Sequence, residues 1–261
     1  MSSIMEKLKD RRNRESIYCT PQYWDSKAEM HDDHSVSMWP NNHLNIYYHS
    51  EVLKNIKRFL PAVKGLEVLD VGCGTGRISR YYTDMGAKVL GFDFSEKSVT
   101  IARSLSKKDN PSYRVQSLLD LSVKGAFDVI SSWGTITIAC RNRQELLLAM
   151  NRLHAALKPG GRMLLMEPVH KGFLHRVLNM DLPEFCTVME EAGFKVKEIR
   201  HMHFWPCRLL LAYIPWPNFI TAPIYYLGQG IMRLMNYQAF GDYKAVYAVI
   251  DRSVQKGNER K

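Results

Sequence analysis

The stretch that decides the fold is "VLDVGCGTGR", Val68 to Arg77. An apolar run ends in three glycines, Gly72, Gly74 and Gly76, separated by single residues. The run reads as a buried strand, and the following "RISRYYTDMG" reads as a helix closed by Gly86. A strand that passes through glycines into a helix N-terminus makes a cradle of backbone N–H groups, and glycine permits both the tight turn and close approach of a ligand. The spacing is G-x-G-x-G, shorter than the G-x-G-x-x-G that seats a pyrophosphate. Asp70, two residues before Gly72, suits a positively charged amino group rather than phosphate.

Outward from this loop, strand-like and helix-like segments alternate. "KVLGFDFS" is a second strand, and Ser95 caps the helix "EKSVTIARSLSKK". "SYRVQSLLDL" is a third strand with its exit, and "AFDVISSWG" is a fourth. Asn142 and Glu145 have capping-box spacing, and Leu146, Leu147, Met150, Leu153 and Leu157 then recur at helical intervals until Pro159, Gly160 and Gly161. "RMLLMEPV" is the fifth strand. Asp181 with Glu184 starts another helix, which Gly193 stops, and "FKVKEIRHMHF" and "DYKAVYAVIDRSV" are strands six and seven. Strands separated by helices imply right-handed crossovers, hence an α/β doubly wound, mostly parallel, seven-stranded sheet.

Asp93 closes the second strand about 20 residues on, where a carboxylate takes both hydroxyls of a ribose. Phe94 follows, placed to lie against an adenine ring. A nucleoside without phosphate, bearing an amino-acid tail, describes S-adenosylmethionine (SAM). In order and spacing, "VLDVGCGTGR", "VLGFDFS", "FDVISSWG" and "ALKPGGRMLLMEP" resemble the successive motifs of class I SAM-dependent methyltransferases, across about residues 60–200.

The resemblance implies an antiparallel last strand, SAM as cofactor with S-adenosylhomocysteine (SAH) as product, and no metal. It also implies roles. Asp70, Gly72 and Gly74 hold the methionine end, with Cys73 and Arg77 of the same loop among the contacts. Asp93 binds the ribose, and Trp133 and Gly134 line the cofactor beside its methyl group. The family often has an aspartate after the third strand that bonds the adenine amine. Here that position aligns with Ser117, with Leu118 flanking the ring and Asp120 as the alternative. The chain is similar to methyltransferases of quinone and secondary-metabolite pathways, which implies a small-molecule acceptor, with a hydroxyl on an apolar or aromatic metabolite as the expected site.

This reading divides the chain into an N-terminal helical lid (1–60), a SAM-binding core (61–203), an apolar aromatic insertion between strands six and seven (204–241), and a last strand with a basic tail (242–261). In the first part, "SMWPNNHLNIYYHSEVL" puts His43, Tyr47 and Glu51 on one helical face and Ile46, His49 and Leu53 on another. It reads equally as a docking helix or as a lid, with Tyr23 reaching the cofactor. His170, after the fifth strand, and His49 are the candidate catalytic bases.

The insertion is acid-free over residues 199–241 and uncharged between Leu209 and Met232. Pro215, Pro217, Pro223, Gly228 and Gly230 are expected to break it, which argues against a spanning helix. Its tryptophans and tyrosines suit a substrate cover built on Trp216 and Tyr225, a membrane interface, or a homodimer contact.

The 261 residues carry a formal net charge of +10, which suits an anionic partner. The basic stretch Lys7, Lys9, Arg11, Arg12 and Arg14 is mixed with acids and reads as a solvated helix face. No nucleic-acid-binding motif accompanies it, so nucleic acid is the minor reading. Five scattered cysteines without a C-x-x-C pair exclude a disulfide framework and fit a reducing, cytoplasmic compartment, with membrane association as the variant. The N-terminus lacks the apolar core of a secretory signal. "HDDH" at 31–34 reads as a solvated loop rather than a metal site.

Overall fold

The computed structural model describes residues 13–30, 39–106, 109–235 and 238–250. The "HDDH" loop, most of the basic N-terminal stretch and the tail lie outside these. Seven strands, β1 (Glu67–Val71), β2 (Lys88–Asp93), β3 (Ser112–Val115), β4 (Phe127–Trp133), β5 (Leu157–Glu167), β6 (Phe194–Phe204) and β7 (Gly241–Ile250), form one sheet in the order β3-β2-β1-β4-β5-β7-β6. β7 runs antiparallel to both β5 and β6, as expected of the last strand. The direction of winding reverses between β1 and β4, so a crevice opens at their carboxyl ends.

Helices α1 (Arg14–Tyr18), α2 (Pro21–Met30) and α3 (Asn42–Phe59) precede the sheet. α4 (Arg77–Asp84), α5 (Glu96–Leu105), α6 (Ile136–Ala139), α7 (Arg143–Ala156) and α8 (Leu182–Glu191) connect its strands, and α9 (Trp205–Leu211) and α10 (Asn218–Met235) form the insertion. The expected caps are made. Ser95 accepts from the Ser98 N–H at 3.0 Å, Asn142 from Glu145 at 3.0 Å and Asp181 from Glu184 at 3.0 Å. The Glu145 carboxylate reaches one residue beyond the cap, to the Arg141 N–H at 2.8 Å.

Three local expectations are corrected. First, α7 stops at Ala156, because Leu157 already pairs with Phe127; the Pro-Gly-Gly segment is an irregular part of β5 rather than the end of a helix. Second, the core face of α3 is Leu44, Tyr48, Val52, Ile56 and Phe59, and the two faces singled out from sequence flank it. This helix is a docking helix packed on the sheet. Third, α10 runs unbroken through Pro223, Gly228 and Gly230. Gly228 serves packing, since a Cβ there would lie 2.4 Å from Cys207 Sγ on α9.

The sheet separates two cores. One joins Leu69, Ile130 and Leu165 to α7 and α8 through Leu146, Met150, Phe185 and Val188. The other joins Val68, Val129 and Leu164 to α3, α9 and α10 through Tyr48, Ile56, Leu211 and Tyr225. Among the described residues, little covers the outer face of α10: Phe219 is 78% exposed and Leu234 88%, with Tyr226 and Leu227 also exposed. Among the described residues, no helix is long and apolar enough to cross a membrane.

Candidate active site

A cavity of about 320 Å³ opens where β1, β2 and β4 end. Asp70, Gly72, Cys73, Gly74, Arg77, Asp93, Phe94, Ser117, Leu118, Trp133 and Gly134 all line it. The glycines of the opening stretch do different work. A Cβ on Gly72 would stand 2.0 Å from Thr135 Oγ1, so this glycine lets the loop after β4 close over the turn. Gly74, at φ +53°, would meet nothing within 4 Å, because it faces the cavity. There the missing side chain leaves room for a ligand.

Two carboxylates set the polarity. Asp93 Oδ2 accepts the Gly74 N–H at 2.9 Å, and its Oδ1 accepts the Ser95 N–H at 3.0 Å. Burial raises its pKa, against the pull of these backbone bonds. Asp70 is 3% exposed and accepts the Ser79 hydroxyl at 2.5 Å. Burial pushes it up to about 7; the Ser79 bond opposes this and the charge of Asp93 adds to it. A buried acid of this kind favours a ligand that brings its own positive charge.

The wall beyond Trp133 is braced by Glu167, at the end of β5. Its carboxylate accepts from the Ser132 hydroxyl (2.9 Å), the Thr135 N–H (3.1 Å), and the N–H and hydroxyl of Thr137 (3.2 and 3.1 Å). The guanidinium of Arg77 lies 5.6 Å from the centre of the Trp133 ring, within cation–π range.

The opposite wall was not legible in the sequence. Tyr18, Cys19, Trp24 and Lys27 of α1 and α2 line the cavity. Asp25 ties α2 to the start of α5, accepting from the Ser95 hydroxyl at 2.6 Å and the Lys97 N–H at 3.1 Å. Tyr23, the expected contact, is not part of the lining; its ring packs edge-on to Tyr18 and Trp24, 5.0 and 5.2 Å between centres. A long-range cap of this kind leaves no local pattern. The sequence reading touched this segment only through Tyr23, named as the lid's reach to the cofactor.

The two candidate bases are placed away from the lining. His170 is buried, with Nε2 2.7 Å from the Asp242 carbonyl oxygen and Nδ1 3.4 Å from Lys244 Nζ. Donation to the carbonyl leaves Nδ1 accepting from Lys244, so both ring nitrogens are engaged. Burial also lowers its pKa. His49 lies 5.8 Å from the Trp133 ring, ring centre to ring centre, outside the cavity. Trp216 and Tyr225 do not reach the cavity either. Tyr225 is buried against Tyr47, with rings stacked at 4.9 Å, and its hydroxyl is 3.1 Å from His203 Nδ1. Among the described residues, no three His, Cys, Asp or Glu side chains converge on a metal position.

With this geometry in hand, the likenesses to known proteins can be weighed. Residues 68–161 match the family model of a methyltransferase domain. The ubiquinone biosynthesis O-methyltransferase of Nitrobacter winogradskyi is 33% identical over 108 residues, which span 41% of this chain and 40% of that one. The enzyme of the same name from Bradyrhizobium sp. is 26% identical over 186 residues, 70% of this chain and 68% of that one. The chain thus spans between two fifths and about two thirds of the length of these relatives. The magnesium protoporphyrin IX methyltransferase of Synechocystis with bound SAM superposes with a TM-score of 0.59 at 16% identity, over 93% of this chain and 97% of that one. The glycine loop, the sheet order and the matched region agree: residues 68–161 match a methyltransferase domain, and the sheet has the Rossmann-like fold seen in class I SAM-dependent methyltransferases.

Proposed function

We propose that the protein transfers a methyl group from SAM to an oxygen of a small-molecule acceptor. The observation that carries this reading is that Asp70, Asp93 and the open face of Gly74 line one cavity. The residues fit the cofactor: Asp70 takes the ammonium of the methionine tail, Asp93 the ribose hydroxyls, and Phe94, Ser117 and Leu118 enclose the adenine. When bound, SAM would supply an electrophilic methyl carbon: an acceptor oxygen would bond to it as the S–C bond breaks and SAH leaves as the neutral thioether. The chain's own part is to align acceptor and methyl group and to exclude water. Trp133 and Gly134 form the wall at the transfer position, Glu167 fixes that wall, and α1 with α2 covers the opening. In this reading α2 contributes to the lid, and α3 packs on the sheet as its anchor.

A second reading is that the acceptor is lipid-linked and the enzyme sits on a membrane surface. It is supported by the exposed stripe Phe219, Tyr226, Leu227 and Leu234 on an acid-free segment of a cationic chain. Calorimetric titration with SAH tests the core of the proposal. Binding at micromolar levels is expected, and absence of binding by the folded chain overturns it.

A further inference from the structure

The insertion between β6 and β7 presents a surface that the cofactor cavity does not use. β7 pairs antiparallel with both β5 and β6, so β6 runs parallel to β5. The insertion therefore departs after Phe204 and returns at Gly241 on the carboxyl edge of the sheet, the edge on which the cavity opens. α9 and α10 are rooted at the cavity's end of the molecule.

α10 has two faces with opposite surroundings. At about 100° per residue, Phe219, Pro223, Tyr226, Leu227 and Leu234 fall within an arc of about 100°. All five are exposed. Thr221, Tyr225 and Gly228 are buried and centre on the opposite side, where Tyr225 stacks on Tyr47 of α3 and Gly228 meets Cys207 of α9. From Phe219 to Leu234 the exposed stripe runs about 22 Å along the helix. Leu210, Tyr213 and Ile214, at the end of α9 and in the turn before α10, are exposed as well. A helix docked by one face ordinarily turns polar residues to water, and an apolar outer face marks a surface that meets a partner.

Charge selects the partner. Residues 199–241 contain no Asp or Glu, and the single charge in α10 is Arg233, exposed just beyond the arc. Arg233 and Tyr226, seven residues apart, share one flank of the stripe, while Leu227 and Leu234 share the other. A second copy of the chain would bring the same formal charge of +10 to the contact and repel the first, whereas an anionic bilayer attracts it. The residue types agree. A tyrosine ring with a polar tip and a long basic side chain suit the headgroup level, and Phe and Leu suit the acyl boundary beneath it. Among the described residues no helix is long and apolar enough to cross a membrane, so the fitting arrangement is in the plane of the surface.

We propose that the outer face of α10 is an in-plane anchor for an anionic lipid bilayer, with Phe219, Leu227 and Leu234 entering the acyl boundary, Tyr226 at the headgroups and Arg233 on lipid phosphate. This deepens the lipid-facing reading above by giving it a surface and a lipid charge, and it does not depend on which acceptor is methylated.

The test is flotation of the full chain with vesicles of phosphatidylcholine alone and of phosphatidylcholine mixed with phosphatidylglycerol. The wild type should bind the mixed vesicles about tenfold or more tightly than the neutral ones. Phe219→Glu with Leu227→Glu sets two carboxylates in the stripe and should cut binding to mixed vesicles by about tenfold or more. Leu148→Glu, at an exposed leucine of α7, should leave it unchanged. Arg233→Gln should lower the preference for mixed vesicles by about threefold to fivefold. A wild type that binds neither vesicle or both equally, binding that survives the double variant, or an equal loss in Leu148→Glu overturns the proposal. So does a lipid-free wild type that runs as a dimer on a sizing column and that the double variant splits, since the face would then belong to a second copy. Should the double variant fail to fold, an undiminished preference in Arg233→Gln overturns it. Failure of the wild type to bind SAH would instead strike the methyltransferase reading and leave the anchor standing.

Discussion

The carboxylate of Asp93 holds the N–H of Gly74 at 2.9 Å, which locks the tip of β2 to the turn after β1. The glycine turn and the carboxylate proposed to take the ribose are therefore one unit. Asp93→Ala should weaken SAH binding by about 1.5–3 kcal/mol, the worth of hydrogen bonds to a charged group. Part of the loss arises because Gly74 is freed. Asp93→Asn, whose amide oxygen can still accept from one N–H, should lose less than Asp93→Ala in the same calorimetric titration. Equal losses would mean that the loop needs no such tie.

The two glycines of the turn should separate stability from binding. Gly72→Ala forces a side chain onto Thr135 at positive φ, so thermal stability should drop by at least the roughly 1–2 kcal/mol of left-handed strain. Gly74→Val carries the left-handed strain too, at φ +53°, but its Cβ meets no protein atom and fills the ligand's space, so SAH binding should vanish while the stability loss stays smaller than that of Gly72→Ala. Thermal melts with and without SAH on both variants decide this.

Asp70 gives the binding a pH signature. Its folded pKa of about 7 lies above the ordinary carboxylate value of about 4. The stability it contributes is therefore full below about pH 4 and is lost as pH rises through 7. A ligand ammonium needs the ionised form, so SAH affinity should rise several-fold from about pH 6 to about pH 8. Binding near pH 6 should release a proton, seen as a dependence of the calorimetric heat on buffer ionisation. Asp70→Asn should flatten both effects.

The exposed stripe of α10 makes the two acceptor settings distinguishable. Leu227→Ser with Leu234→Ser removes apolar area without touching either core. If the stripe docks on lipid, co-sedimentation with anionic vesicles should fall several-fold while SAH affinity holds. If it instead joins two copies, a sizing column will show the wild type as a dimer and the variant as a monomer. Unchanged behaviour in both assays leaves the stripe without an interaction role.

The cavity lining on the strand side was legible because each residue follows a strand end. Asp70, Asp93 and Trp133 sit where a buried apolar run stops, Ser117 follows the mostly exposed β3, and sheet geometry brings such points together regardless of side-chain detail. The acceptor side was not. His170 stands at a strand end too, but Asp242 and Lys244, more than 70 residues away in sequence, turn its ring into a buried polar cluster. Trp216 and Tyr225 were taken for a substrate cover because aromatics without charges read alike in any setting. In the fold, Tyr225 fills the core between α3 and β6. The prolines and glycines of α10 misled for a related reason: Gly228 looks like a breaker until α9 is known to press against it.

The four bonds on Glu167 have a consequence for turnover. One side of the cavity is fastened from within by a buried carboxylate whose partners run from Ser132, near the end of β4, to Thr137 in α6. The other side is held by Asp25, by the Cys19 thiol on the Ile138 carbonyl at 3.4 Å and by the Glu29–Lys97 ion pair at 3.3 Å, ties that are part-buried or exposed. In the proposed reading, cofactor exchange is expected on this helical side, and amides of α2 should exchange faster without SAH than with it.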